Sequence, residues 1–313
     1  MSLEPRLSIT LRTFAADDPG SWSPVIDQAR AADAAGVDQL VVSDHVVFGE
    51  NLEAYARPEL GGSEGGKQPT GPDGHWLEPL TTLTYVAAVT NQIRLGTNIL
   101  LAALRRPVVL AKTAATLDVL SGGRLDLGVG VGWQREEYAA AGLDFDGRGA
   151  LLDETLAVCQ TLWRDQRATF TGDTLGFDGI HQMPKPAQAG GVPIWVSGTV
   201  NAAVLRRLAR FGSGWIPWGR SASDLATAIP QVRAGLEQRD RDPSDLRVVG
   251  YLPVVRGDDG DPDLGRSMDA LPALVDIGVT DFRSGLPIPA GIDDATDYLS
   301  TVVDAFRTAV GRA

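Results

Sequence analysis

Short apolar runs alternate with longer amphipathic stretches along the whole chain. Continuous apolar runs of four to eight residues are typical of strands buried on both faces, and apolar positions three or four apart are typical of helices. This pattern predicts strands at residues 7–12, 39–43, 93–101, 124–131, 193–196, 214–217, 246–255 and 281–284. It predicts helices at residues 23–35, 78–89, 107–120, 148–163, 201–209, 222–239, 263–276 and 295–310.

The alternation of strand and helix indicates a parallel sheet covered by helices. Eight strand–helix pairs in 313 residues match the usual size of a (β/α)₈ TIM barrel. We therefore predict a single barrel domain over residues 1–313. A doubly wound open sheet stays as the alternative, because a strand count does not show closure.

The segment 93–143 carries the clearest signal for a site. A predicted strand, a helix and a second strand follow one another, and the second strand ends in Gly128, Gly130 and Gly132. Glycines there let a flat ligand lie against bare backbone. Parallel α/β proteins bind their ligands at the carboxyl ends of the strands, so this end is the predicted site.

Two insertions interrupt the alternation. Residues 46–76 are rich in Gly and Pro and follow the second strand, so they are predicted to form a lid. Residues 167–191 follow the fourth strand, and their FTGDTLGFDG stretch predicts a short hairpin.

Charge and composition narrow the function classes. A net charge of −12 argues against non-specific nucleic-acid binding. The chain has no apolar run that would span a membrane and no apolar core of a signal peptide near residue 1. A single cysteine, Cys159, fits a reducing cytoplasm, which is the expected location. The three histidines show no metal-ligand spacing, so no metal site is predicted.

Four blocks carry a resemblance to a known family. They are Ser43-Asp44-His45, RLGTNIL at 94–100, LDVLSGGRLDLGVGVGW at 117–133 and PKPAQAGGVPIWVSGT at 184–199. Their order and spacing resemble the bacterial luciferase-like monooxygenase superfamily over nearly the whole chain. The closer resemblance is to its actinobacterial branch that uses the deazaflavin coenzyme F420. It implies a TIM barrel with insertions after strands 2 and 4 and a flavin-type ring at the carboxyl end of the barrel.

The resemblance also implies roles for residues near the second and third strands. Asp44 and His45 match a pair that lines the cofactor site, and a histidine there is a candidate catalytic residue because it exchanges protons near neutral pH. The alternative for His45 is a strand-end residue bonded to the lid. Asn98 and Ile99 match the position of a non-proline cis peptide behind the ring, and Asn98 is otherwise an ordinary strand-end residue.

Beyond the fourth strand, Gly130 and Gly132 are expected to lie at the cofactor. Trp133 stands where F420-dependent glucose-6-phosphate dehydrogenases carry a catalytic glutamate, so their sugar-oxidising mechanism does not transfer. Trp133 is a candidate wall of the catalytic pocket, or else it packs under the lid. Glu136 and Glu137 are expected to be solvated or to cap a helix.

Ser197, Gly198 and Thr199 follow the apolar run PIWV and precede a helix, where free amides bind phosphate. This matches the phosphate loop of the family. Three further residues are predicted to reach the same face as a substrate pocket: Arg12, Trp218 and Arg283. For the two arginines a structural salt bridge is an equal alternative. Arg105 and Arg106 open a helix against its dipole, which hints at a partner carboxylate, although a surface pair is favoured.

The leading hypothesis is an oxidoreductase that transfers a hydride between coenzyme F420 and a small organic substrate. The alternative is an FMN-dependent monooxygenase that uses oxygen and reduced flavin supplied by a separate reductase. A further alternative is a barrel that binds flavin without catalysis. The resemblance also implies a homodimer.

Overall fold

The computed structural model describes residues 3–258 and 260–312. Eight parallel strands form a closed barrel: β1 Arg6–Thr10, β2 Gln39–Val42, β3 Arg94–Thr97, β4 Leu125–Val129, β5 Ile194–Gly198, β6 Gly212–Pro217, β7 Arg247–Tyr251 and β8 Asp281–Ser284. The first and last strands pair in parallel with Ser8 opposite Arg283, which closes the cylinder. The predicted TIM barrel is therefore confirmed, and the open sheet is excluded.

Helices surround the barrel in chain order. They are α1 Ser23–Ala34, α2 Pro79–Val89, α3 Pro107–Leu120, α4 Arg135–Ala140, α5 Arg148–Arg164, α6 Ala202–Phe211, α7 Arg220–Ser223, α8 Leu225–Glu237, α9 Leu264–Met268, α10 Leu271–Ile277 and α11 Ile292–Val310. The eight predicted helices are all present, with ends that shift by a few residues.

Three helical features differ from the prediction. The stretch 222–239 contains the end of α7 and all of α8, because Asp224 caps a new helix by accepting a hydrogen bond from the Thr227 amide (3.1 Å). The stretch 263–276 divides into α9 and α10, where Pro272 occupies the first turn of α10 and cannot continue a preceding helix. Helix α4 was not predicted, since six residues are too few for a clear apolar period.

Glycines allow the barrel strands and their connections to approach closely. A Cβ on Gly128 would lie 2.0 Å from the carbonyl oxygen of Thr97, and a Cβ on Gly214 would lie 2.4 Å from the Trp195 ring. Gly128 thus serves the pairing of β4 with the end of β3, rather than a ligand. Inside the barrel, Trp195, Ile216 and Val249 form a small apolar cluster.

The two insertions have local structure of their own. The lid over residues 46–76 contains 3-10 turns at Leu52–Ala56 and Pro58–Leu60, and it ends in a two-residue strand, His75–Trp76, that pairs with Phe14–Ala15. The predicted hairpin after the fourth strand is confirmed as Ala168–Thr171 paired with Gly176–Ile180. Within residues 3–258 and 260–312, no helix combines the length and the apolar character needed to span a bilayer.

Candidate active site

A cavity of about 610 Å³ opens at the carboxyl ends of the barrel strands. The loops after β2 to β6, the lid, and the first turns of α5 and α6 contribute to its wall. The predicted site residues that line it are Asp44, His45, Asn98, Ile99, Gly130, Gly132, Trp133, Ser197, Gly198, Thr199 and Trp218. The fold thus brings together residues that are up to 174 positions apart, from Asp44 to Trp218.

Arg12 and Arg283, by contrast, are not among the cavity-lining residues. Strand β1 ends at Thr10, so Arg12 lies beyond it, exposed, with its guanidinium 5.4 Å from the Phe14 ring centre. Arg283 is buried within β8 and shares a strand face with Asp281, which accepts a hydrogen bond from Ser8 (2.8 Å). Arg283 is thus part of a buried polar group inside the barrel, and within the described residues its Nε and Nη1 have no hydrogen-bond partner and no ion pair forms.

The cavity wall beside β3 is formed by the peptide between Asn98 and Ile99, which is cis as the resemblance implied. The Ile99 side chain packs against the apolar cluster inside the barrel. A Cβ on Gly130 would lie 2.7 Å from Ile99 Cδ1, so any larger residue at 130 would displace the Ile99 side chain. Gly132 has a positive φ of 71°, a conformation that disfavours any side chain.

Asp44 anchors the loop after β2. Its Oδ2 accepts hydrogen bonds from the Leu101 amide (2.8 Å) and from Arg105 Nη1 (2.6 Å), and its Oδ1 accepts from Arg105 Nη2 (3.0 Å). Arg105 also donates to Glu78 (2.9 Å). Burial disfavours the charge of Arg105, but the neighbouring carboxylates outweigh it and raise its pKa. The sequence favoured Arg105 and Arg106 as two solvent-exposed surface charges. The structure instead pairs Arg105 with carboxylates on other elements, Asp44 and Glu78.

Six rings form a continuous aromatic wall on one side of the cavity: Phe14, Trp76, His45, Trp133, Tyr55 and Trp218. Neighbouring ring centres lie between 4.4 Å (Phe14 to Trp76) and 6.1 Å (Tyr55 to Trp218). Such distances are typical of favourable aromatic pairs. Two residues from the lid, Tyr55 and Trp76, take part, so lid and barrel share one apolar surface.

Trp218 fastens the lid to the barrel. Its indole Nε1 donates to the carbonyl oxygens of Gly61 and Gly62, both at 3.0 Å. A Cβ on Gly62 would lie 2.1 Å from the Tyr55 carbonyl oxygen, so the lid backbone is tightly folded here. The predicted lid therefore rests on the end of β6.

Glu137 is the site residue that sequence reasoning missed. It was expected to be solvated or capping, yet it is 1% exposed, and its Oε1 accepts a hydrogen bond from the Val46 amide (2.6 Å). Its Oε2 lies 3.4 Å from Nδ1 of His45. No helical period in the sequence marked Glu137, because Trp133 lies before the start of α4 at Arg135.

The predicted phosphate loop after β5 is partly satisfied by the chain itself. The Val200 amide donates to Ser221 Oγ (3.0 Å), and the amides of Ala203 and Val204 donate to the Asn201 side chain (both 2.9 Å). Within the described residues, the amides of Thr199 and Ala202 make no hydrogen bond. The loop after β5 therefore has fewer unpaired backbone amides than the uncapped N-terminus of a helix would have.

Two arginines lie near these amides, Arg148 at the start of α5 and Arg207 in the second turn of α6. Arg207 is paired with Asp153 (2.6 Å). Arg148 donates to the carbonyl oxygens of Phe145 (2.9 Å) and Leu60 (3.0 Å), and its buried Nε has no partner in the described part of the chain. Burial lowers the pKa of Arg148. An unpaired donor on a guanidinium at a cavity wall favours an anionic ligand group.

The comparisons with known proteins agree with this architecture. The sequence profile of the luciferase-like monooxygenase family matches residues 7–262, and the chain belongs to that family. An uncharacterised protein of Mycobacterium tuberculosis is 30% identical over 274 residues, covering 87% of this chain and 89% of its own. The F420-dependent glucose-6-phosphate dehydrogenase of Kineococcus radiotolerans is 32% identical over 221 residues, covering 69% of this chain and 58% of its own.

The crystal structure of an F420-dependent secondary alcohol dehydrogenase shares the fold. Its TM-score is 0.74 at 19% identity, and the match covers 97% of this chain and all of the other. Family members are oxidoreductases, and relatives at moderate identity use coenzyme F420.

A flavin-type cofactor is compatible with the residues present. The cavity combines a flat backbone wall at 98–99, glycines at 130 and 132, and the partnerless Nε of Arg148. Within residues 3–258 and 260–312, no cluster of side chains could hold a metal ion. The cavity therefore has apolar surface for a ring system and polar donors for an anionic tail.

Proposed function

We propose that this protein transfers a hydride between coenzyme F420 and a small, uncharged organic substrate. The observation that carries the proposal is the cavity itself, which joins a wall at 98–99 to a region at Thr199 and Arg148 that offers hydrogen-bond donors to an anion. When bound, the coenzyme supplies the hydride chemistry. The protein binds and orients both partners and excludes water with the lid.

Candidate roles follow from position. His45 lines the cavity and is the candidate proton acceptor or donor, and Trp133 beside it walls the substrate pocket. Asn98, Ile99, Gly130 and Gly132 would face the coenzyme ring. Ser197, Gly198 and Thr199 would face its phosphate, while Asp44 supports this site by holding Arg105.

The proposed substrate is uncharged because none of the cavity-lining residues of the aromatic wall is a lysine or an arginine. Two buried carboxylates adjoin this wall: Arg105 neutralises Asp44, and Glu137 faces His45. Arg148 lies at the start of α5, and Arg207 lies in the second turn of α6, paired with Asp153. A sugar phosphate would therefore lose the hydration of its phosphate without gaining a partner beside the wall.

Cofactor titration tests the choice of coenzyme F420 as the cofactor. Coenzyme F420 and FMN are each titrated into the protein while tryptophan fluorescence is followed, since Trp76, Trp133 and Trp218 line the cavity. We expect saturable quenching by F420 at lower concentration than by FMN. Tighter binding of FMN would reverse the choice of cofactor.

A turnover assay tests the proposal that the substrate is uncharged. Oxidised F420 is mixed with protein and either cyclohexanol or glucose 6-phosphate, and the coenzyme absorbance is followed. We expect reduction, if slow, with the neutral alcohol and none with the sugar phosphate. Turnover of glucose 6-phosphate alone would contradict the substrate class.

An FMN-dependent monooxygenase is the second candidate function, because the matching family is that of luciferase-like monooxygenases. It would draw reduced flavin from a separate reductase. Oxygen consumption that depends on reduced FMN and substrate distinguishes it from hydride transfer to F420. Binding of either cofactor without turnover of any neutral alcohol, ketone or oxygen would favour a non-catalytic flavin-binding barrel.

A further inference from the structure

The buried carboxylate of Glu137 faces the ring of His45, and neither atom of this contact has another partner. The distance from Glu137 Oε2 to His45 Nδ1 is 3.4 Å, longer than a standard hydrogen bond. Within the described residues, both atoms are buried and make no hydrogen bond. Two buried polar atoms that face each other in this way form a contact that a small movement would close.

The other carboxylate oxygen is committed. Glu137 Oε1 accepts the hydrogen bond of the Val46 amide at 2.6 Å, directly after His45 in the chain. This bond holds the carboxylate against the loop after β2. Oε2 is therefore the oxygen that remains for the imidazole.

Among the groups around Glu137, His45 is the one that can donate a hydrogen bond to its Oε2. Asp44 and Tyr138 both interact electrostatically with Glu137 without donating to it, because Asp44 is bound to Arg105 and the Tyr138 hydroxyl donates to the Val131 carbonyl (2.7 Å). Arg105 is shared between Asp44 and Glu78. Among the described residues, the only ion-pair partner of Glu137 is His45.

We infer that Glu137 is a positioning residue that holds neutral His45 as its Nδ1–H tautomer. A carboxylate can only accept hydrogen bonds, so the proton of the neutral ring is favoured on the nitrogen that faces it. The opposite nitrogen, Nε2, then carries a lone pair. Because His45 lines the cavity, this lone pair is available to a ligand there.

The consequence for catalysis rests on the proposed function. In the oxidation of an alcohol, His45 Nε2 would take the hydroxyl proton as a carbonyl group forms, and the bound coenzyme would supply the acceptor for the carbon-bound hydrogen as a hydride. The ring then becomes a cation beside the Glu137 carboxylate, which stabilises it. In the reverse reaction the same proton returns to the alkoxide.

Histidine NMR tests the tautomer on the free protein, without coenzyme or substrate. The chain has three histidines, so the ¹⁵N-labelled imidazole spectrum is simple, and His45→Asn identifies the His45 signals by their loss. At a pH where the ring is neutral, we expect the wild-type protein to carry the proton on Nδ1. Wild-type protein with the proton on Nε2 would overturn the inference.

Glu137→Gln provides the second measurement. The Val46 amide needs an acceptor, so the amide oxygen of glutamine is kept at Val46 and its NH₂ group turns to Nδ1. We expect the ring proton to move to Nε2, while the near-isosteric side chain preserves the thermal unfolding midpoint to within a few degrees. The matched control is Glu136→Gln on the same helix, which should leave the tautomer unchanged.

An unchanged Nδ1–H tautomer in folded Glu137→Gln would also overturn the inference. The spectra are independent of cofactor choice, so failure of hydride transfer leaves their outcome untouched. If the protein does oxidise alcohols with F420, Glu137→Gln should lower kcat about tenfold or more and alter its pH profile, with little change in KM.

Discussion

Arg148 presents to the cavity a guanidinium that no carboxylate of the described residues pairs at ion-pair distance. If an anionic cofactor tail binds there, a charge-assisted hydrogen bond contributes about 1.5–3 kcal/mol. We expect Arg148→Gln to weaken coenzyme binding by roughly tenfold to a hundredfold. Fluorescence titration measures the change in Kd.

The control for Arg148 is Arg167→Gln. Arg167 is exposed on the outer hairpin beside Asp178 and does not line the cavity. Its loss should leave the Kd unchanged. Equal weakening by both substitutions would mean that only the overall charge of the protein matters at this site.

Cys159 gives a pH-dependent prediction. Burial raises the pKa of its thiol from the ordinary 9.0 to about 12. Because the folded pKa is higher than the unfolded one, the free energy of unfolding should fall as the pH rises from about 9 to about 12. Urea unfolding across this range, compared with Cys159→Ala, measures the contribution of the thiol.

Alkylation provides an independent check of Cys159. We expect iodoacetamide to modify the unfolded protein and to leave the folded protein unmodified at pH 8, because the buried thiol is neither accessible nor ionised. Modification of the folded protein at the unfolded rate would contradict the buried position.

At the scale of elements, Trp218 at the end of β6 is one of the side chains that hold the lid. Trp218→Phe keeps the ring but removes the Nε1–H that donates to Gly61 and Gly62. Two carbonyl hydrogen bonds contribute about 1–3 kcal/mol together. We expect faster amide hydrogen exchange over residues 46–76 and little change in the barrel strands.

The matched control for the lid is Trp22→Phe before α1, where the indole has no hydrogen bond among the described residues and lies outside the cavity. In Trp22→Phe, the amide hydrogens of residues 46–76 should exchange at the wild-type rate. If Trp218→Phe exchanged no faster than wild type, the aromatic wall and the other hydrogen bonds of the lid would be sufficient to hold it.

The sequence predicted a helix or a strand correctly where its local pattern of apolar residues was strong. All eight barrel strands were found because several are apolar runs and strands alternate with helices along the chain, and β8 at Asp281–Ser284 was found with its observed bounds. Helix α4 was missed because it spans only six residues. The burial of Glu137 on that helix was missed for a related reason: charge pattern alone cannot show what packs against a helix.

At the scale of the molecule, α2 and α3 expose apolar side chains that the monomer does not cover. Tyr85 is 57% exposed, Val109 is 62% exposed and Leu120 is 64% exposed. Both helices carry apolar residues around most of their surface, which is typical of helices that are covered on both sides. The family resemblance implied a homodimer. We propose that the two copies pair through these helices.

Light scattering after gel filtration tests the dimer. We expect the wild-type protein at twice the 33.1 kDa chain mass and Val109→Glu/Leu120→Glu at the chain mass. Ile292→Glu, an exposed apolar position on α11, is the control and should remain a dimer. A monomeric wild-type protein, or a dimer that survives the double substitution, would remove this interface.

The sequence by itself determined the barrel, the lid, the family and most of the cavity wall, from Asp44 to Trp218. These depend on local apolar periods, turn residues and motif order, which are written along the chain. Only the tertiary structure decided that Arg105 neutralises Asp44, that Asn201 and Ser221 occupy amides of the phosphate loop, that Arg283 lies inside the barrel, and that Glu137 meets His45. Each of these depends on which side chain of one element meets another across the fold, and burial and hydrogen-bond satisfaction are decided by that meeting.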